Sequence, residues 1–148
     1  MIPSSNRTNT NLKIVIDTNL FLSVFAFRGQ MGNLIIDLVI NRKLDMYFSP
    51  ALKQELQKKF DFFQVSNTVY EEVMEFVHTK GMLIVPNITI EKSRDVKDNF
   101  LLELSEAGNV DYLVTRDEDL LVLKRWKNTA IIKPEDFLPL LRKMKLLQ

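Results

Sequence analysis

Short apolar runs alternate with amphipathic segments along the chain, and this alternation constrains the fold more than any other feature of the sequence. Five runs have the length and composition of strands, namely KIVID (13–17), DMYFS (45–49), MLIV (82–85), DYLVT (111–115) and TAIIK (129–133). The first and fourth are almost continuously apolar, which is typical of strands buried on both faces of a parallel sheet. The alternation therefore predicts an α/β domain with a central, mostly parallel sheet of about five strands.

Helical patterns occupy much of the sequence between and after these strands. Apolar residues recur at helical spacing in five segments, which are 32–43, 49–60, 66–81, 98–108 and 134–147. Ser49 followed by Pro50 is a typical helix start, and Gly81 is a typical helix end. Pro139 inside the last segment predicts a kink or a restart of that helix.

The composition excludes several classes of site. The chain has no cysteine and one histidine, which excludes disulfides, thiolate metal sites and multi-histidine metal sites. The net charge of +1 argues against indiscriminate binding to nucleic acid. We interpret the polar residues 1–11 as a disordered tail and 12–148 as a single domain. Since no apolar run approaches the roughly 20 residues that span a bilayer, we expect a cytoplasmic protein with no membrane partner.

Acidic residues follow the predicted strands in a way that brings them to one edge of the sheet. Asp17 ends the first strand, and Asp117 directly follows the fourth. Ligands of open parallel sheets bind beyond the carboxyl ends of the strands, where both acids are expected. Glu55 and Asp98 belong to predicted helices and are spaced so that they flank buried leucines. We therefore expect all four acids at this edge.

Each acid also has an ordinary structural explanation. Asp17 and Asp98 could cap helices, Glu55 could be a solvated helix residue, and Asp117 could be a loop acid. A semi-buried cluster of all four would instead need a hard divalent cation such as Mg²⁺ or Mn²⁺ to offset its repulsion. The chemistry expected of such a cluster is metal-assisted hydrolysis of phosphodiester bonds.

Four stretches of the chain resemble known proteins in residue type and order, and they are VIDTN, ALKQEL, DVKDNFLLELSEAGNVDYLVTRDEDLL and IIKPEDFL. These stretches resemble the PIN-domain ribonucleases, in particular the VapC-like bacterial toxins of toxin–antitoxin pairs, and the likeness covers about residues 13–141. The resemblance implies a three-layer α/β/α fold, a Mg²⁺- or Mn²⁺-dependent endoribonuclease acting on RNA, a homodimer, and an antitoxin protein as a partner. It also implies a catalytic and metal-binding quartet, which is Asp17, Glu55, Asp98 and Asp117.

Other matching positions concern residues around this quartet. Asn19 and Thr115 match polar positions that support the site, and Asp119 is a candidate for an extra or water-mediated metal ligand. The chain reads VTRD where relatives commonly read VTGD, so Arg116 replaces a small residue beside a proposed ligand. Arg116 could contact the scissile phosphate or weaken the site. The alternative function is therefore a catalytically degenerate PIN-like module that binds RNA or protein.

Basic and aromatic residues suggest further RNA contacts. Trp126 is flanked by Lys124 and Arg125, and such a cluster can hold single-stranded RNA by stacking and charge. The other interpretation is a half-buried tryptophan with solvated neighbours. Arg28 is a further candidate phosphate contact.

Competing enzyme classes fit the sequence less well. A phosphoaspartate enzyme of the haloacid dehalogenase type needs a second Asp two residues after the first, where this chain has Asn19. The chain has four glycines, and none lies in a Rossmann or P-loop phosphate-binding pattern.

Overall fold

A computed structural model describes residues 11–89 and 99–147. The predicted tail at 1–11 lies outside the described residues except for Asn11, whose side-chain amide donates to the carbonyl of Arg42 at 2.8 Å. The predicted metal ligand Asp98 also lies outside them. That 12–148 form a single domain stays a prediction.

A six-stranded sheet forms the centre of the described chain. Its strands are β1 (Leu12–Ile16), β2 (Leu44–Phe48), β3 (Gly81–Leu83), β4 (Tyr112–Val114), β5 (Arg125–Trp126) and β6 (Thr129–Ile132). Their order is β3-β2-β1-β4-β6-β5, and neighbours are parallel except for the antiparallel pair of β5 and β6. The predicted α/β class and mostly parallel sheet are confirmed. The additional strand, β5, is too short to show a hydrophobic pattern in the sequence.

Helices connect most of these strands. They are α1 (Thr18–Phe21), a π-helical turn (Leu22–Ala26), α2 (Gln30–Ile40), α3 (Pro50–Phe62), α4 (Asn67–Lys80), α5 (Asn99–Ala107), α6 (Glu118–Leu121) and α7 (Pro134–Lys143). α7 runs without interruption through Pro139, so of the two predicted effects the restart is contradicted and the kink stays a prediction. The carbonyl that Pro139 leaves without its helical N–H donor belongs to exposed Glu135, where water can replace the missing bond.

The core lies on both faces of the sheet. Successive residues of a strand point to opposite faces, and Ile14, Val15 and Ile16 of β1 are all fully buried. This burial confirms that the first apolar run is a central strand covered on both sides. No single helix in the described ranges is long and apolar enough to cross a membrane. The segment of α1 and its π-helical turn reaches that length only when it is counted together with α2, and the two are bent by 100° relative to each other.

Candidate active site

Two acids and one threonine meet at the carboxyl ends of the central strands. The register pairs Ile16 with Val114, so the residues that follow them, Asp17 and Thr115, are neighbours. The Thr115 hydroxyl donates to Oδ2 of Asp17 at 2.5 Å and accepts from the backbone N–H of Asp117 at 3.0 Å. A single hydroxyl therefore connects the two acids that the edge-of-sheet argument placed together.

Asp17 is a buried carboxylate, with 5% of its surface exposed. Oδ1 accepts from the Thr18 hydroxyl at 3.3 Å and from the Asn19 N–H at 3.5 Å, in addition to the Thr115 bond at Oδ2. Across residues 11–89 and 99–147, no lysine or arginine forms an ion pair with it. Removing an anion from water without a cation is costly, so this arrangement favours a bound cation.

Both acids cap short helices, as the ordinary explanation of Asp17 anticipated. Asp17 is the N-cap of α1, and Asp117 is the N-cap of α6, where its Oδ1 accepts from the Asp119 N–H at 2.9 Å. Among the described residues, Oδ2 of the half-buried Asp117 receives no hydrogen bond. Capping leaves carboxylate lone pairs available to a ligand, so the two roles are compatible.

Helix α3 brings polar residues to the same edge from the side. The Lys59 ammonium donates to Oδ1 of Asn19 at 2.7 Å, across 40 residues of sequence. Glu55 is half-buried and lies one helical turn before Lys59, on the same helix face. In the part of the chain that the structure describes, no three groups of the carboxylate or imidazole type could hold a metal ion together. Glu55 and Asp117 thus do not complete a metal site with Asp17 without a further ligand.

Helix α5 indicates where such a ligand could come from. Its last residue precedes the amino end of β4 by a short connection, so α5 runs antiparallel to β4 and begins near the carboxyl edge. α5 contacts both α3 and β1. Its first residue, Asn99, is 4% exposed and directly follows Asp98 in the sequence.

Arg116 lies at the rim of the site with a partner that the sequence analysis missed. Its Nε and Nη2 approach Oε1 of Glu135 at 3.2 and 3.1 Å, and Nη2 lies 3.8 Å from the Met31 sulfur. The sequence marks Glu135 only as an acid in the first turn of a predicted helix, which does not indicate that it pairs with Arg116. An adjacent small pocket of about 30 Å³ is lined by Asp17, Asn19, Leu20, Thr115, Arg116 and Pro134.

The structure separates the tryptophan cluster from these acids. Trp126 pairs with Thr129, the first residue of β6, and so lies at the amino edge of the sheet. Its Nε1 donates to Oε1 of Glu106 at 2.8 Å, and the Lys127 ammonium lies 5.7 Å from the ring centroid. Arg125 lies beside Trp126 in β5. The other two predicted RNA contacts, Lys124 before β5 and Arg28 after the π-helical turn, are exposed.

Comparison with known proteins identifies the fold family. A family model described as PIN domain matches residues 13–119, well over half of the chain. The chain belongs to the PIN-domain family. The uncharacterized protein MJ1680 of Methanocaldococcus jannaschii is 25% identical over 118 residues, which are 76% of each chain. The resemblance to the PIN-domain family that the sequence motifs predicted is thereby confirmed.

Two solved structures have the same fold. The first is VapBC2 from Rickettsia felis, which was solved bound to a DNA fragment from its promoter. It superposes with a TM-score of 0.59 at 14% sequence identity, over 82% of this chain and 98% of that one. The PIN domain of RRP44 from T. brucei superposes with a TM-score of 0.55 at 12% identity, over 92% and 84% of the two chains. PIN domains are generally nucleases that use divalent metal ions, which agrees with an acidic site at the carboxyl edge.

Proposed function

We propose that this PIN domain is a metal-dependent endoribonuclease that hydrolyses RNA phosphodiester bonds. One observation carries the proposal: at the carboxyl edge the Thr115 hydroxyl bonds the carboxylate of buried Asp17 and the backbone N–H of half-buried Asp117, and Asp17 has no cationic partner among the described residues. We further propose that the protein acts in the cytoplasm as the VapC-like toxin of a toxin–antitoxin pair.

The donor chemistry fits a hard divalent cation. Carboxylate oxygens are the ligands that Mg²⁺ and Mn²⁺ prefer, and they suit a substrate with phosphate oxygens. In this proposal the ion is held by Asp17, Glu55, Asp98 and Asp117, with Asp119 as an additional ligand. When bound, a divalent ion held by these carboxylates would supply an activated water and charge stabilisation for the leaving oxygen of the phosphodiester.

The surrounding side chains hold the acids in position. The Thr115 hydroxyl orients the Asp17 carboxylate and the backbone before Asp117 with one pair of hydrogen bonds. Lys59 fixes the Asn19 amide at the mouth of the site. Two donors of the Arg116 guanidinium are directed to Glu135, which leaves the remaining N–H groups of the fork for a substrate phosphate.

Two protein partners belong to the same proposal. A homodimer and an antitoxin chain are what the VapC-like resemblance implies, and the similar VapBC2 structure is bound to DNA from its own promoter. We expect co-expression with a cognate antitoxin to relieve growth arrest and to yield a complex on size-exclusion chromatography. Growth that is unaffected by the active protein would contradict the toxin role and leave the ribonuclease role intact.

Titration of Mn²⁺ by calorimetry tests the metal site directly. We expect the native chain to bind Mn²⁺ and the Asp17→Asn variant to bind it at least about tenfold more weakly. Loss of a residue that only hydrogen-bonds a metal ligand already lowers metal affinity about tenfold or more, and loss of a direct ligand should lower it at least as much. Asp111→Asn is the matched control, because Asp111 accepts from the Lys13 N–H at 2.9 Å at the amino edge. RNA cleavage should follow the same order and stop in EDTA.

A folded native chain that binds no Mn²⁺ at millimolar concentration would refute the enzyme proposal. The second candidate, a non-cleaving module that binds RNA or protein, would then be favoured. The ion pair of Arg116 with Glu135 is the observation that supports this alternative, since it places a cation in the pocket of Asp17.

A further inference from the structure

Three phenylalanines form an exposed aromatic cluster where α3 ends. Phe27, Phe62 and Phe63 are 64%, 79% and 51% exposed. The ring of Phe63 lies 5.0 Å from that of Phe62 and 6.3 Å from that of Phe27, and both pairs are T-shaped with interplanar angles of 88°. Rings that meet edge to face leave other ring faces accessible. We call these three residues the aromatic corner.

The aromatic corner continues the helix face that leads to the candidate active site. Glu55 and Lys59 are four residues apart in α3, which rises about 6 Å per four residues, and Phe63, which caps the C-terminus of α3, follows Lys59 after four more, so the three side chains line one strip. Lys59 bonds Asn19, two residues from Asp17. A ligand lying along this strip would therefore contact aromatic rings, an ammonium group and the acidic edge in that order.

The charge around the aromatic corner suits an anionic ligand. Exposed Arg28 follows Phe27, and exposed Lys58 adjoins Lys59. The nearest exposed acid in the helix, Asp61, lies about 200° around α3 from Lys59 and so on the other side. Accessible aromatic faces combined with basic side chains are the features by which proteins bind single-stranded nucleic acid, because every base has a face that can stack.

We propose that the aromatic corner stacks an unpaired base of single-stranded RNA while Lys59 and Arg28 contact its backbone phosphates. The aromatic corner would then be a base-binding subsite beside the acids. This inference rests on the proposed function only where it takes the bound strand to lead to the cleavage site. Stacking and lysine contacts need no metal ion. Binding can therefore be measured in EDTA, apart from any cleavage.

Fluorescence anisotropy with a labelled oligouridylate of about twelve nucleotides tests the subsite. We expect the Phe62→Ala/Phe63→Ala double variant to bind roughly five- to one-hundredfold more weakly than the native chain, the range found for loss of base stacking. A strand of the same length with abasic sugars should bind the native chain and the variant equally, because it has phosphates and no bases to stack.

Two further variants separate stacking from general apolar contact. Phe62→Leu/Phe63→Leu keeps an apolar surface and removes the aromatic faces, so it should bind nearly as weakly as the alanine variant. Val85→Ala truncates another exposed apolar residue, which is 70% exposed, and should bind like the native chain. Lys59→Gln should reduce the salt dependence of binding by about 0.7 in the slope of log K against log salt.

The outcomes distinguish this inference from the proposed function. Native affinity in the alanine variant, or no binding of oligouridylate by the native chain, would overturn the subsite whether or not the protein cleaves RNA. Loss in the alanine variant but not in the leucine variant would also overturn it, because apolar contact without an aromatic face would then be enough to bind the RNA. Loss in both variants without any cleavage by the native chain would support the subsite and contradict the ribonuclease.

Discussion

Replacing Thr115 with valine should destabilise the protein through two hydrogen bonds at once. Thr115 is 1% exposed, and its hydroxyl donates to Asp17 and accepts from the backbone of Asp117. Valine has nearly the same shape as threonine, so the side chain should still fill its site. What changes is the hydrogen bonding, because Oδ2 of Asp17 loses its donor and the N–H of Asp117 loses its acceptor.

The magnitude follows from the chemistry of the two bonds. A hydrogen bond to a charged group contributes about 1.5–3 kcal/mol, and a backbone N–H left without a partner costs about 1–3 kcal/mol. Since Asp117 is half-buried, water can replace part of the second bond. We therefore expect Thr115→Val to lower the free energy of unfolding by about 2–4 kcal/mol, a large fraction of the roughly 5–15 kcal/mol of a typical domain.

Urea denaturation in EDTA, followed by circular dichroism, measures this loss without any contribution from bound metal. Thr115→Ser is the matched control, because it keeps the hydroxyl and removes one buried methyl group, for a cost of about 1 kcal/mol. Calorimetry should also show Mn²⁺ binding weakened about 10- to 100-fold in the valine variant and not in the serine variant. If valine and serine destabilise the protein equally, the hydroxyl does not connect the two acids and the reasoning fails.

Two further predictions concern groups outside the quartet. Arg116→Gly should change the free energy of unfolding by less than about 1 kcal/mol in urea titrations, because the Arg116 and Glu135 side chains are 47% and 45% exposed. The same substitution should strengthen Mn²⁺ binding at low salt, because it removes a cation from the pocket. Weaker Mn²⁺ binding would show that Arg116 supports the site. Burial raises the pKa of Tyr47 above its ordinary value of 10.0, and Asp45 and Asp111 raise it further. The stability that the Tyr47 hydroxyl contributes is present below pH 10.0 and is lost as the pH rises through the raised pKa. Urea titrations at alkaline pH should therefore show a steeper fall of the free energy of unfolding with pH in the native chain than in Tyr47→Phe. The same fall with pH in both proteins would contradict this prediction.

The sequence predicts the fold well because hydrophobic periodicity is a local property. Continuous apolar residues at 14–16 indicate burial on both faces, and the structure buries Ile14, Val15 and Ile16 completely. The rule that parallel strands share a carboxyl edge then brought Asp17 and Asp117 to one place, which the bond network through Thr115 agrees with. These inferences needed only strand direction and order.

Features that depend on packing between distant segments were not predictable. β5 was not predicted because its two residues are too few to show a periodic pattern, and Trp126 was therefore free to be placed on the same RNA as the acids. The antiparallel pairing of β5 with β6 places Trp126 at the opposite edge. Pro139 does not restart α7, because a solvent-facing helix surface tolerates a missing N–H donor.

By itself, the sequence determined the α/β class, the family and the edge of the sheet to which acids are brought, because strand burial and chain order are written in local patterns. Only the tertiary structure decided that Thr115 joins the two acids, that Lys59 bonds Asn19, and that Phe27 meets Phe63. Each of these contacts links segments far apart in sequence. Such contacts depend on how whole helices and strands pack and on which rotamers then fit, and no local pattern records that.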